Sequence, residues 1–183
     1  MVLRKKVKDV MIPIDKYAVI DPDATLGQAV VSLRGSYCSV ETGFCTETGP
    51  RAILVVDSTG KLVGVIDFKT LLKVLIPEVH GKLSARLEAL GVSIAFAEAG
   101  SGELDETRAS LAARVRKNAQ VKAKEIMLKN VAHTNVNDML LDAMKLMFRK
   151  KLIMLPVYDD SKLVGVVRDA DLFLTVADIV IHQ

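Results

Sequence analysis

The 183-residue chain has no tryptophan, and aromatic residues make up only 4% of it. Platforms that hold single-stranded nucleic acid stack bases on exposed aromatics, and this chain has few to offer. It lacks an excess of either charge: 25 Lys and Arg stand against 22 Asp and Glu, for a net charge of +3. The whole molecule is therefore no electrostatic trap for nucleic acid. Two cysteines, Cys38 and Cys45, are too few for a disulfide scaffold, and their spacing suits neither a Cys-x-x-Cys redox pair nor a zinc half-site. Free thiols in a reducing cytoplasm are the plain expectation, with a regulatory disulfide left open. His80, His133 and His182 lie far apart and show no metal-ligand spacing. Gly-x-Ser-x-Gly, the P-loop and Gly-x-Gly-x-x-Gly are all missing. The sequence thus assigns no catalytic residue, no metal ligand and no resident cofactor, and is not read as an enzyme. No uncharged apolar run approaches the roughly 18–20 residues that a membrane span requires. The basic start runs into Asp9 and Pro13 without an apolar core, unlike a secretory signal. A cytoplasmic protein is expected.

What the chain does have is aliphatic content, half of it being hydrophobic, which excludes intrinsic disorder. It also repeats itself. Lys8-Asp9-Val10-Met11 matches Lys124-Glu125-Ile126-Met127, and Lys61-Leu62-Val63-Gly64-Val65-Ile66 matches Lys162-Leu163-Val164-Gly165-Val166-Val167. Between these blocks, 23–29 matches 137–143. Each copy reads as a short strand (17–21; 131–135), then a helix entered through Asp23 and Thr25 or through Asn137 and Asp138. Two β-rich runs joined by a turn follow (53–56 and 62–66; 153–158 and 163–167), then a second amphipathic helix (68–75; 170–181). The order is β-α-β-β-α, twice. A unit of this size buries little surface alone, so the two units should share an interface.

This pattern resembles a tandem pair of cystathionine-β-synthase (CBS) domains, the Bateman module. The residues that carry the resemblance are Val7-Lys8-Asp9-Val10-Met11-Ile12-Pro13, Asp21-Pro22-Asp23-Ala24-Thr25-Leu26 and Ile53-Leu54-Val55-Val56-Asp57, with the Gly64 block. In the second copy they are Leu155-Pro156-Val157-Tyr158-Asp159 and the Gly165 block. The resemblance implies an α+β fold of two β-α-β-β-α repeats packed sheet to sheet about a pseudo-twofold axis, with a helical insert between them. The repeats would span 1–78, with a loop insertion at 35–51, and 121–183, with a connector at 79–120.

The family binds adenine nucleotides or adenosyl compounds between the repeats, through a motif resembling Gly-h-h-Thr/Ser-x-x-Asp, where h is apolar. In that motif the last strand ends at the glycine, where backbone and ligand approach. The helix N-terminus then faces phosphate, and the acid accepts from ribose hydroxyls. The second copy offers Gly165, Arg168 in the hydroxyl position, and Asp171 as the acid. Arg168 can serve phosphate as a charged bidentate donor, or it can pair with Asp169 or Asp171. By the same resemblance, adenine would lie against His133, Thr134, Met154, Leu155 and Pro156. In the first copy Asp67 replaces the hydroxyl and Thr70 the acid, beside Gly64 and Val19, so that site reads as degenerate. The implied function is regulatory sensing of AMP, ADP, ATP or S-adenosylmethionine at one working site. The alternative is a structural or protein-interaction module that has lost nucleotide binding and acts through its loop and connector.

The connector reads as helical pieces at 82–90 and 104–117, with an apolar stretch at 92–97 and a break at Gly100-Ser101-Gly102. Its aliphatic residues, together with the repeat helices at 26–33, 71–76, 140–147 and 172–181, make a homodimer the expected state. An unidentified protein target is expected as the second partner.

Overall fold

The computed structural model describes residues 5–37, 51–77 and 101–181. Within them, strands β1 (Ile12–Pro13), β2 (Val19–Ile20), β3 (Ala52–Val56), β4 (Leu62–Asp67), β5 (Thr134–Asn135), β6 (Met154–Asp159) and β7 (Lys162–Arg168) build two sheets. The helices are α1 (Leu26–Tyr37), α2 (Phe68–Leu75), α3 (Ser101–Asn118), α4 (Ala123–Ile126), α5 (Leu140–Lys150) and α6 (Asp169–Ile181). The loop cysteines Cys38 and Cys45 and the connector segments 82–90 and 92–97 lie outside the described residues.

Apolar alternation along each hairpin sorts the core into three layers. Ile53, Val55 and Ile66 pack with Leu26, Ala29, Leu33 and Leu71 of α1 and α2. Leu155, Val157 and Val167 pack in the same way with Leu140, Ala143, Met147 and Leu172 of α5 and α6. The opposite faces meet each other, with Ala52, Leu54 and Val65 of one sheet against Met154, Leu163 and Val166 of the other. Strands buried on both faces read as continuous apolar runs rather than alternating ones, which is why 52–56 and 154–157 contain no charge. The architecture is helix, sheet, sheet, helix.

Each repeat contains a parallel pair, β2 with β3 and β5 with β6, closed by an antiparallel hairpin partner, β4 or β7. Parallel neighbours need a crossover helix, supplied by α1 and α5. The first strands are shorter than the sequence suggests. Tyr17 N–H closes on Ile14 C=O at the end of a 3-10 turn, leaving only Val19–Ile20 to pair. In the second repeat Asp138 N–H bonds Asn135 C=O, so the strand ends as soon as it starts.

The leading segments are exchanged between repeats. Residues 7–13 pair β1 onto β7 of the second repeat, and Val7 and Lys8 N–H groups donate to the Asp138 and Val136 carbonyls. Reciprocally, Ala123 and Lys124 donate to Ala24 and Pro22 of the first repeat, and Leu128 bridges Val65. The exchange also finishes the helix ends, where the first N–H groups lack intrahelical partners. Leu26 N–H donates to Val121 C=O, and Leu140 N–H to Lys5 C=O. At α1 the side chains add a reciprocal cap: Gln28 N–H donates to Thr25 Oγ1 and Thr25 N–H to Gln28 Oε1. At α5 the expected Asn137 or Asp138 cap is not used. The N-cap is Met139 without a side-chain bond, because Asp138 turns back to Asn135 N–H and Thr134 Oγ1.

Candidate functional site

Met154 and Arg168 face each other across the base of the β6–β7 hairpin, where α6 begins. Asp171 lies in the first turn of that helix. Its Oδ2 accepts from the Arg168 backbone N–H at 3.1 Å and from Nε at 2.9 Å, and its Oδ1 accepts from Nη2 at 2.6 Å. The two side chains are only 12% and 11% exposed. The Asp171 carboxylate holds the Arg168 guanidinium pKa above its usual value, against the opposing effect of burial. Of the two ion-pair partners open to Arg168 in the sequence, Asp171 is the one the structure selects.

The first repeat reaches into this corner twice. Tyr17, buried in the inter-sheet core, donates its hydroxyl to Met154 Sδ at 3.6 Å. Arg51 Nη2 contacts both carboxylate oxygens of Asp169, at 2.8 and 3.1 Å. Neither residue was singled out in the sequence. Tyr17 carried a usable signal: the strand registers set it opposite Val131 of the second copy, a large residue in place of a small one. Arg51 carried none.

The remaining second-copy residues lie farther along the sheet. His133 is exposed, and its ring meets that of Tyr158 edge to face at 5.1 Å. The buried Thr134 spends its hydroxyl on Asp138 Oδ2, at 2.8 Å. Hydrogen bonds from Asn135 N–H and then from Thr134 hold the Asp138 carboxyl below the usual range, against burial. Burial raises the Tyr158 phenol. Tyr158 stands four residues beyond Met154, roughly 13 Å along a strand. Pro156 is buried between them on the same strand face, while Leu155 points into the helix-side core. Met154, Arg168 and Asp171 therefore form one cluster, and His133 and Thr134 belong to another.

The strand does not end at the motif glycine, as the family motif implied, but runs past it, in line with the apolar runs at 62–66 and 163–167. β7 runs on from Gly165 to Arg168 and β4 from Gly64 to Asp67. Each glycine receives the exchanged leader of the other repeat. A Cβ on Gly165 would collide with the Ile12 carbonyl oxygen, and one on Gly64 would lie 2.7 Å from Met127 Cγ. In the first repeat, Asp67 caps α2 by accepting from Thr70 N–H at 2.7 Å, and Val19 pairs with Leu54 in the sheet. The N-terminus of α2 is thus engaged by the chain's own carboxylate.

Among the described residues, no group of three or more His, Cys, Asp or Glu could hold a metal ion, and no helix is long and apolar enough to cross a membrane.

Two β-α-β-β-α units, face to face through their sheets with exchanged leaders, define a tandem-repeat module. The CBS domain description matches residues 7–77 and 123–178, and the chain belongs to the CBS domain family. No curated protein matches it. Among solved structures it resembles CBSX2 in complex with AMP, at 19% identity over 95% of this chain and 97% of that one, with a TM-score of 0.60. The CBS-pair protein CBSX2 from Arabidopsis thaliana gives 20% identity, 95% coverage of both chains and a TM-score of 0.60. The CBS domain of a CBS domain-containing membrane protein from Sphaerobacter thermophilus gives 18%, 95% and 89% coverage, and 0.62. The fold is thus that of a CBS pair.

Proposed function

We propose that this chain is a regulatory, non-catalytic module that senses an adenine nucleotide or adenosyl compound at one site, beside Asp171. The observation that carries the reading is the position of Asp171. It sits in the first turn of the helix after the last strand, at the shared face of the repeats, within reach of Arg168. A similar fold with AMP bound supports the ligand class. That α2 is capped by Asp67 and has Thr70 where the acid would stand supports a single working site. Met154, Pro156 and Gly165 on the same hairpin, with His133 and Thr134 farther along the sheet, complete the proposed surroundings, and the repeat boundaries are taken as 1–78 and 121–183 with the connector between them.

Apolar faces left open on both helix layers support a homodimer. Phe148 and Phe173 are 79% and 70% exposed, and Val31 and Leu72 are exposed on the other layer. Such clusters on a single chain mark contact surfaces.

Thermal melting with AMP, ADP, ATP and S-adenosylmethionine tests the function, because a ligand that binds only the native state raises the melting temperature by mass action. Calorimetry should give one nucleotide per chain, and Asp171→Ala should abolish the shift. Internal occupation of Asp171 by Arg168 favours the second reading, a protein-interaction module. That reading prevails if none of the four ligands moves the transition.

A further inference from the structure

We propose a second binding site, for a compact organic phosphate monoester, in the cleft between the β3–β4 turn and the segment that leads into β5. Residues 61–64 of the first repeat line this cleft of about 460 Å³ with Met127, Lys129, Asn130, Val131 and Tyr158 of the second. It lies toward the turn end of the β6–β7 hairpin, and Met154, Arg168 and Asp171 at the other end do not line it. The site therefore stands apart from the nucleotide reading. The pseudo-symmetry of the chain explains why it is open. Ile12 pairs with Val166 and Leu128 with Val65, so the two leaders cross matching strand positions. Met11 and Tyr17 stand six residues apart, whereas Met127 and Val131 stand four apart. The longer leader adds a second rung, Pro13 with Gly165, and a 3-10 turn at Ile14–Lys16 that packs against β7. Its Ile14 joins Leu163 in the inter-sheet core. The shorter leader turns at once through Asn130, at a left-handed φ of 56°. The chain thus leaves the corresponding space beside residues 62–64 unfilled.

The lining selects an anion with an apolar body. Lys61 and Lys129 bring two ammonium groups, one from each repeat, and no acid lines the cleft. Among the described residues neither ammonium has an ion-pair partner. Asp57, whose carboxyl is lowered first by the Thr59 hydroxyl and then by the Lys61 N–H, forms no ion pair with the Lys61 side chain. Asn130 adds a carboxamide, and Tyr158 a hydroxyl that has no hydrogen bond among the described residues. Leu62, Val63, Met127 and Val131, with the Tyr158 ring, supply the apolar wall. Few polar groups on a mostly apolar lining are the usual make-up of a small-molecule site. An ammonium is a point charge without the planar fork of a guanidinium. Two of them suit the nearly dianionic, tetrahedral phosphate of a monoester better than a single flat carboxylate. Because one lysine comes from each repeat, the ligand would tie the β3–β4 turn to the segment that leads into β5.

Titration of the isotope-labelled full chain with phenyl phosphate, followed through backbone amide resonances, tests this. Inorganic phosphate and phenol serve as the charge-only and body-only controls. Saturable shifts should cluster at 61–64 and 129–131, and phenyl phosphate should bind at least about tenfold more tightly than either control. Lys61→Ala and Lys129→Ala should each weaken it about threefold to fivefold, as expected for exposed charges, and the double variant at least about tenfold. Both lysines are exposed, so the variants should keep the wild-type melting temperature and the loss reads binding alone. Three results overturn the inference: no saturable shift at the cleft, inorganic phosphate as tight as phenyl phosphate, or a double variant that binds as the wild type does. Shifts centred on 168–171 instead would place the phosphate beside Arg168 and overturn it as well, while leaving the nucleotide reading in place.

Discussion

Gly165 lies directly beneath the carbonyl of Ile12, a residue of the other repeat, where the exchanged leader crosses β7. The obstacle that a side chain there would meet is backbone, held by a two-residue ladder, so it has little room to retreat. Gly165→Ala should therefore destabilise by about 1–3 kcal/mol, the range for overpacking a tight site. Gly64→Ala, at the matching position, meets the flexible Met127 side chain and should cost less. Denaturant unfolding of both variants checks the order, and a larger loss for Gly64→Ala would contradict it.

The exchange of leaders also makes the two repeats depend on each other. Leu155 is fully buried in the second helix-side core, and Val7 of the first leader is buried in the same cluster. Leu155→Ala should cost about 2–5 kcal/mol, as for large core truncations. The loss should appear as one transition shifted to lower denaturant rather than as early melting of one half. Monitoring intrinsic Tyr signals and backbone circular dichroism together would show coincident curves. Two separated transitions would mean that the repeats fold independently.

Much of this architecture was legible in the sequence because each repeat is written twice. Helix α2 occupies the residues that its apolar spacing indicated, 68–75, and both hairpins fall within one or two residues of their expected ends. Local pattern decides these elements. The crossing of the leaders was not legible, because Val7 and Ala123 carry the same apolar pattern whichever repeat they pack against. The motif glycines misled for the same reason: a tight approach demands glycine, but the sequence does not say what approaches. At the candidate site, Asp171 and Arg168 could be named only through the resemblance to the family motif, whereas Tyr17 and Arg51 arrive from residues 137 and 118 positions away. No local window contains such contacts.

Asp138 offers a test of pH dependence. Its carboxyl is lowered in the folded protein, first by the Asn135 N–H and then by Thr134. A lowered carboxyl stabilises the fold above its unfolded value, near about 3.9, and that contribution is lost as pH falls through the lower folded value. Asp138→Asn should therefore melt below the wild type at pH 7. The gap should narrow as pH drops below about 4. A gap that stays constant from pH 7 to pH 3 would show that the charge of Asp138 contributes nothing.

The open helix layer of the second repeat separates fold stability from assembly. Phe173 on α6 and Phe148 on α5 line one apolar groove with Met144 and Val176, and both rings are mostly outside the core of the single chain. Replacing Phe173 with Asp removes little intrachain packing, so the unfolding free energy of the isolated chain should change by no more than about 0.5 kcal/mol. A dimer built on this face would lose a central aromatic contact and gain a buried charge, which is among the most damaging changes at an interface. Sedimentation velocity should show the wild type as a dimer and Phe173→Asp as a monomer, with unchanged circular dichroism. A wild type that sediments as a monomer, or a variant that still dimerises, would remove this face from the assembly.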